Sequence, residues 1–173
     1  GFTTQYESVA MDRTLNDYAM PESIRKRADD LVAAGWSFGS PTGDDLPELI
    51  RIAGTRFNPD WARGIREGVL GGQSLERIIT VRDPQGRMLG WAMHGTYENV
   101  LERFGPFGVL PESRGTGLGE ILLHLTLERM RALGAHSAWF LWTEETSAAG
   151  HLYLKTGFSV TRTFAILHAP LAV

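Results

Sequence analysis

The spacing of apolar positions along the chain changes several times, and each change marks an element. Residues 21–34 place apolar side chains at helical spacing among charged ones, with proline near the first turn and Gly35 as the stop, which predicts a helix. Residues 36–38 form a short strand candidate. Asp44 and Asp45 then stand as caps before Leu46, Leu49, Ile50 and Ala53, which share one helical face. A third helix is expected over residues 59–70, stopped by Gly71 and Gly72. Residues 77–82 and 88–94 read as two strands joined by turn residues at 83–86, a hairpin context.

Residues 104–110 predict another strand, but Gly105, Pro106 and Gly108 are unusual in a central one. A bulge or a splayed edge accommodates them. A helix is expected over residues 117–133, with Leu118, Ile121, Leu122, Leu125 and Met130 on one broad face. Residues 137–142 predict a strand, 146–156 a helix and 158–167 a last strand. This alternation predicts an α/β sandwich of mixed sheet and flanking helices.

Between the strand at 104–110 and the helix at 117–133 lies the densest chemistry. Arg114, Gly115, Thr116, Gly117, Leu118 and Gly119 form a glycine-rich turn that runs directly into the helix at Glu120. Glycines remove the Cβ atoms that would keep a ligand off the backbone. The helix start adds unpaired N–H groups and the positive end of the dipole. Together these make a socket for phosphate oxygens. A Walker loop would end in Gly-Lys-Ser/Thr, and no lysine stands here. A dinucleotide fingerprint places its third glycine one residue later and expects an acidic residue about 20 positions on. That reading, a nicotinamide-dependent oxidoreductase, rests on the three glycines alone.

The loop resembles that of the GNAT superfamily of acyl-CoA-dependent N-acetyltransferases, whose Arg/Gln-x-x-Gly-x-Gly/Ala pattern is met by Arg114, Gly117 and Gly119, with Val109 and Pro111 at the preceding Val-x-Pro. A second match, Ala149 to Phe158, resembles the family's Ala-x-x-Leu-Tyr-x-Lys-x-Gly-Phe segment, with Tyr153 at its tyrosine. The resemblance implies a GNAT-like mixed, largely antiparallel sheet whose central strand pair is splayed and which helices flank. It also implies acetyl-CoA as acyl donor, its pyrophosphate lying along Arg114, Gly115, Thr116, Gly117, Leu118, Gly119 and Glu120. Backbone N–H groups near Val109 and Leu110 would then polarise the thioester carbonyl. Tyr153 is the candidate acid for the leaving thiolate; taken alone it reads as a packed helix tyrosine.

A base is needed because an alkyl amine, of pKa about 10.4, arrives protonated at neutral pH. Glu144, with Glu145 beside it, is the candidate, since both follow the strand at 137–142. Glu98, Glu102, His94 and relay through water are the alternatives. For each carboxylate a surface role is the plainer reading. Many GNAT sequences carry asparagine at the start of the tyrosine helix; Thr146 and Ser147 stand there and can cap it equally well. Trp61, Trp91, Trp139 and Trp142 are candidates for an acceptor pocket or for the core.

Composition narrows the partners. Seventeen basic against twenty acidic residues gives a net charge of −3, which does not suggest nucleic acid. With no cysteine, a cysteine acyl-enzyme, thiolate metal sites and disulfides are excluded, and the five histidines show no metal-ligand spacing. No membrane span or secretory signal is visible. The expected acceptor is a small-molecule or peptide amine, and the expected location is the cytoplasm, where acyl-CoA resides.

Residues 1–20 are expected as a leading strand and linker, and residues 21–173 as the acyl-CoA-binding domain. Gly1 and Phe2, with Val9 to Met11 following, echo Gly157 and Phe158 with Phe164 to Ile166 following. One reading makes this segment the remnant of a preceding GNAT repeat, so that the domain packs against such a neighbour or against a second copy. The other is a chance match in an ordinary leading strand. A catalytically silent acyl-CoA sensor or structural half is the alternative to an active enzyme.

Overall fold

A computed structural model describes residues 3–168; Gly1 and Phe2, half of the amino-terminal echo, lie outside the described residues, as do residues 169–173. The elements run β1 (Thr3–Thr14), α1 (Glu22–Ala33), β2 (Ser37–Gly39), α2 (Leu46–Arg56), α3 (Pro59–Leu70), β3 (Ile78–Arg82), β4 (Met88–His94), β5 (Phe104–Val109), α4 (Leu118–Ala132), β6 (Ser137–Thr143), α5 (Ala148–Lys155) and β7 (Ser159–His168). Local chemistry sets several of these bounds. α3 begins at Pro59 because Asn58 caps it, its side chain accepting the Asp60 N–H at 2.8 Å. Asp45 acts differently from a cap of α2. It turns back to accept the Thr42 N–H at 2.7 Å, closing a single 3₁₀ turn before α2 starts.

The strands form two sheets, ordered β2-β3-β4-β5 and β6-β1-β7, with antiparallel pairing inside each. Helices flank them, so this is an α/β fold of largely antiparallel sheet, not the doubly wound parallel sheet that a dinucleotide reading requires. The sheets touch through the parallel strands β5 and β6. These meet where Arg103 faces Trp139, whose N–H donates to the Glu102 carbonyl at 3.0 Å. Beyond that point they part, which is the splay the glycines and proline of β5 suggested.

β1 runs through the middle of its sheet, pairing Met11 with Phe140 on one side and Glu7 with Ala165 on the other. Its consecutive residues Ser8 to Met11 are all buried, as expected of a strand covered on both faces. α4 is apolar around most of its girth for the same reason. Leu122, Leu127 and Met130 enter the main core, while Ile121 packs with Met20, Ile24 and Ala28 under α1.

Candidate active site

The glycine turn folds as its composition requires. Gly115 and Gly117 take left-handed φ values of 76° and 86°, which a side chain would strain. Thr116 donates its hydroxyl to the Ser113 carbonyl at 2.7 Å, and the Arg114 Nε–H reaches the Val109 carbonyl at 3.3 Å. Arg114 thus braces the loop onto β5, while its position on the surface leaves the rest of the guanidinium free to meet a ligand. The first intrahelical bond of α4 runs from the Ile121 N–H to the Gly117 carbonyl. The N–H groups of Leu118, Gly119 and Glu120 therefore lack helical acceptors and point out of the helix start.

Above this turn opens a cleft of about 570 Å³, bounded by β5 at Phe107 to Val109, by the loop, by the start and outer face of α5, and by Phe57 and Trp61. Ser147 caps α5 at its rim, accepting the Gly150 N–H at 3.0 Å. On β5, antiparallel alternation decides which N–H can act. Leu110 donates to the Leu89 carbonyl at 2.8 Å, so it is committed to the sheet and cannot polarise a thioester, contrary to expectation. Val109, one residue earlier, sits opposite Gly90 at a non-hydrogen-bonded position, and its N–H faces the open side toward β6. The sequence offered both groups; the ladder retains one.

Tyr153 is buried behind the lining of the cleft, its ring packed against Phe104 and Phe107 of β5 and Phe140 of β6. It lies 4.3 Å from the Phe140 ring and 6.0 Å, edge-on, from Phe104. Burial raises its phenol well above the ordinary value, so it stays protonated. Glu144 and Glu145 are both exposed and neither borders the cleft. Glu98 is likewise exposed on the loop after β4. His94 is fully buried, and burial holds it down to about 4, so it is neutral near pH 7. Among the described residues no group of histidines and carboxylates is arranged to hold a metal ion.

Glu120 carries an unexpected pair of partners. Its carboxylate accepts from Arg27 at 2.8 Å and from Lys155 at 2.7 Å, and only 13% of its side chain is exposed. Burial alone would raise its pKa, but the hydrogen bonds and charges of Lys155 and Arg27 hold it below the usual carboxylate range. Arg27 comes from α1, ninety-three positions earlier in the chain, and no local pattern marks it. Phe57 was equally invisible. It stacks on Trp61 at 5.7 Å and against the edge of Trp91 at 5.0 Å, forming the aromatic wall of the cleft. Of the four tryptophans weighed, Trp61 borders the cleft, Trp91 lies buried behind it, and Trp139 and Trp142 stand elsewhere.

A glycine turn at a helix start, beside a strand pair that opens from one end, is the arrangement by which the chain compares with known proteins. Residues 75–160 match the family model of the acetyltransferase (GNAT) domain, and the chain belongs to the GNAT superfamily of N-acetyltransferases. Solved structures agree. The glucosamine N-acetyltransferase region of a fungal multi-domain GH3 β-N-acetylglucosaminidase is 18% identical, covering 98% of this chain and 21% of that one, with a TM-score of 0.80. A GCN5-related N-acetyltransferase of Sphaerobacter thermophilus is 17% identical over 94% of this chain and 51% of that one, TM-score 0.70. A GNAT acetyltransferase of Brucella melitensis in complex with acetyl-CoA is 20% identical over 72% of this chain and 82% of that one, TM-score 0.56. At these identities the likeness is one of fold, and the chain spans about a fifth and a half of the first two. No curated protein matches this sequence.

Proposed function

We propose that this domain transfers an acetyl group from acetyl-CoA to a primary amine by direct attack, without a covalent enzyme intermediate. The observation that carries the reading is the Val109 N–H, turned toward the splay at the mouth of the glycine loop. A pyrophosphate held by the N–H groups of Leu118, Gly119 and Glu120 leaves the pantetheine arm to follow β5. The thioester carbonyl then comes within reach of Val109, whose N–H stabilises the oxygen as charge builds there. Acetyl-CoA supplies the activated acyl group. The amine enters past Phe57 and Trp61 and loses its proton. It attacks the carbonyl carbon, and as the C–S bond breaks the thiolate takes a proton from Tyr153.

No carboxylate other than the paired Glu120 borders the cleft among the described residues, so water is the proposed carrier of the amine proton, with Glu144 as a more distant acceptor. We place the protein in the cytoplasm, where the donor resides. Trp142 and Phe164 stack at 4.9 Å, with Trp142 58% exposed, which supports contact with a second GNAT-like domain or a second copy of the chain.

Calorimetric titration with acetyl-CoA, with NAD as control, tests donor binding. An acceptor screen then follows free CoA release, and it includes glucosamine because the fungal relative is described as acting on it. Saturable acetyl-CoA binding with amine-dependent CoA release is the expected result. Binding without release under any amine would favour the silent sensor, and NAD binding would overturn the reading.

A further inference from the structure

A second cavity, of about 590 Å³, adjoins the cleft and shares Glu120 and Lys155 with it as a common wall. Its cationic lining is Arg13 from β1, Arg27 from α1 and Lys155 from α5; His124 and Tyr18 close it, and Glu120 is the carboxylate that faces it. The two arginines are seated alike. Arg27 Nη2 stands where a Cβ on Gly117 would be, and Arg13 Nη1 lies 2.8 Å from where a Cβ on Gly157 would be. Both glycines have left-handed φ, 86° and 89°, and each guanidinium brings one end into the space that the missing Cβ leaves.

Charge in this cavity is unbalanced. Arg27 and Lys155 share one carboxylate, and among the described residues Arg13 pairs with none. Arg13 instead lies over the Tyr18 ring at 4.7 Å, an arrangement that leaves its N–H fork without an anion. Tyr18 bonds to His124 Nδ1 at 2.6 Å and stays neutral, since burial raises its phenol well above the ordinary value. Three cations facing one carboxylate, one helix away from a phosphate socket, make a receptor for a further phosphate of the same ligand.

We propose that this cavity binds the 3′-phosphate of the CoA nucleotide, with Arg27 and Lys155 as its ligands and Arg13 at its far wall. The inference rests on the donor reading above and deepens it. Coenzyme A differs from dephospho-CoA in this phosphate alone, so the site sets donor specificity. Glu120 aligns the two nearer cations and keeps its own charge neutralised beside the pyrophosphate. Arg27 lies outside the region that the family model covers, on an element that approaches the loop only in the folded chain.

The test is the ratio of dissociation constants for dephospho-CoA and CoA, measured calorimetrically for the wild type and for Arg27→Ala, Arg27→Gln and Lys155→Ala. The wild type is expected to prefer CoA by about tenfold or more, the usual strength of a charge-assisted phosphate contact. Each substitution should shrink that preference while dephospho-CoA still binds, which also reports that the variant is folded. A purely structural role for the Arg27–Glu120–Lys155 triad would weaken both ligands equally and leave the ratio unchanged. That outcome, or a wild-type ratio near one, overturns the 3′-phosphate site and leaves donor binding standing. Failure of both ligands to bind the wild type removes the donor reading and this inference together.

Discussion

The Nδ1 atom of His94 lies 2.9 Å from the Leu101 carbonyl oxygen, and this contact fixes the state of a fully buried imidazole. A carbonyl only accepts, so Nδ1 carries the proton and donates. Nε2 is then a bare acceptor, and it has no partner in the core. Protonating it would place a cation among apolar side chains, which is why burial holds the group down to about 4.

Stability should therefore fall on the acid side. The folded pKa is depressed below the ordinary value of 6.5, so above pH 6.5 both states are neutral and the contribution is complete. Between 6.5 and about 4 only the unfolded chain takes the proton, and by the lower end about 3 kcal/mol is lost. His124, also lowered by burial, adds in the same direction. Urea midpoints measured across this window should decline, and His94→Asn, which keeps a donor toward Leu101, should flatten the decline. An unchanged slope in that variant would place the acid sensitivity elsewhere.

Tyr153→Phe tests the proton donor. Its ring packs among Phe104, Phe107, Phe140 and Phe158, and its hydroxyl makes no hydrogen bond among the described residues, so the variant should fold with little change in midpoint. Loss of the leaving-group proton should lower kcat by about 10²-fold with KM for acetyl-CoA nearly constant. Equal kcat in both proteins would assign the ring to packing alone.

Gly108→Ala probes the aromatic wall. The new methyl would stand 2.8 Å from Phe57 Cε1, too close for that ring to stay in place, and a tight 3.1 Å from Trp91. Trp91 is fixed by the core, so Phe57 must move. Overpacking should cost about 1–3 kcal/mol in unfolding free energy. The acceptor KM should rise more than the donor KM if the amine enters past Phe57, as proposed.

Ser147→Ala removes the cap of α5. A lost N-cap costs about 1 kcal/mol, read as a lower urea midpoint. Ser147→Asn, which restores a capping acceptor, should return the midpoint to the wild-type value. If both variants matched the wild type, the Gly150 contact would carry no energy.

Much of the site was legible because it is local. The turn from Arg114 to Gly119, its left-handed glycines and the helix it opens follow from backbone sterics within a few residues, and the bounds of α3 and β4 follow from caps and turn chemistry. The segment around Tyr153 was legible by resemblance, being continuous in the chain. Such signals survive without the rest of the molecule.

What only the tertiary structure decided involves partners far apart. That β1 runs between β6 and β7 depends on edges left open at the other end of the chain. Whether Val109 or Leu110 offers its N–H depends on the β4 register, since adjacent residues on one strand point to opposite edges. Arg27 reaches Gly117, and Phe57 reaches Gly108, only after helices dock on sheets, in spaces that two glycines leave empty. Composition shows that a glycine is present; packing alone shows which side chain it makes room for.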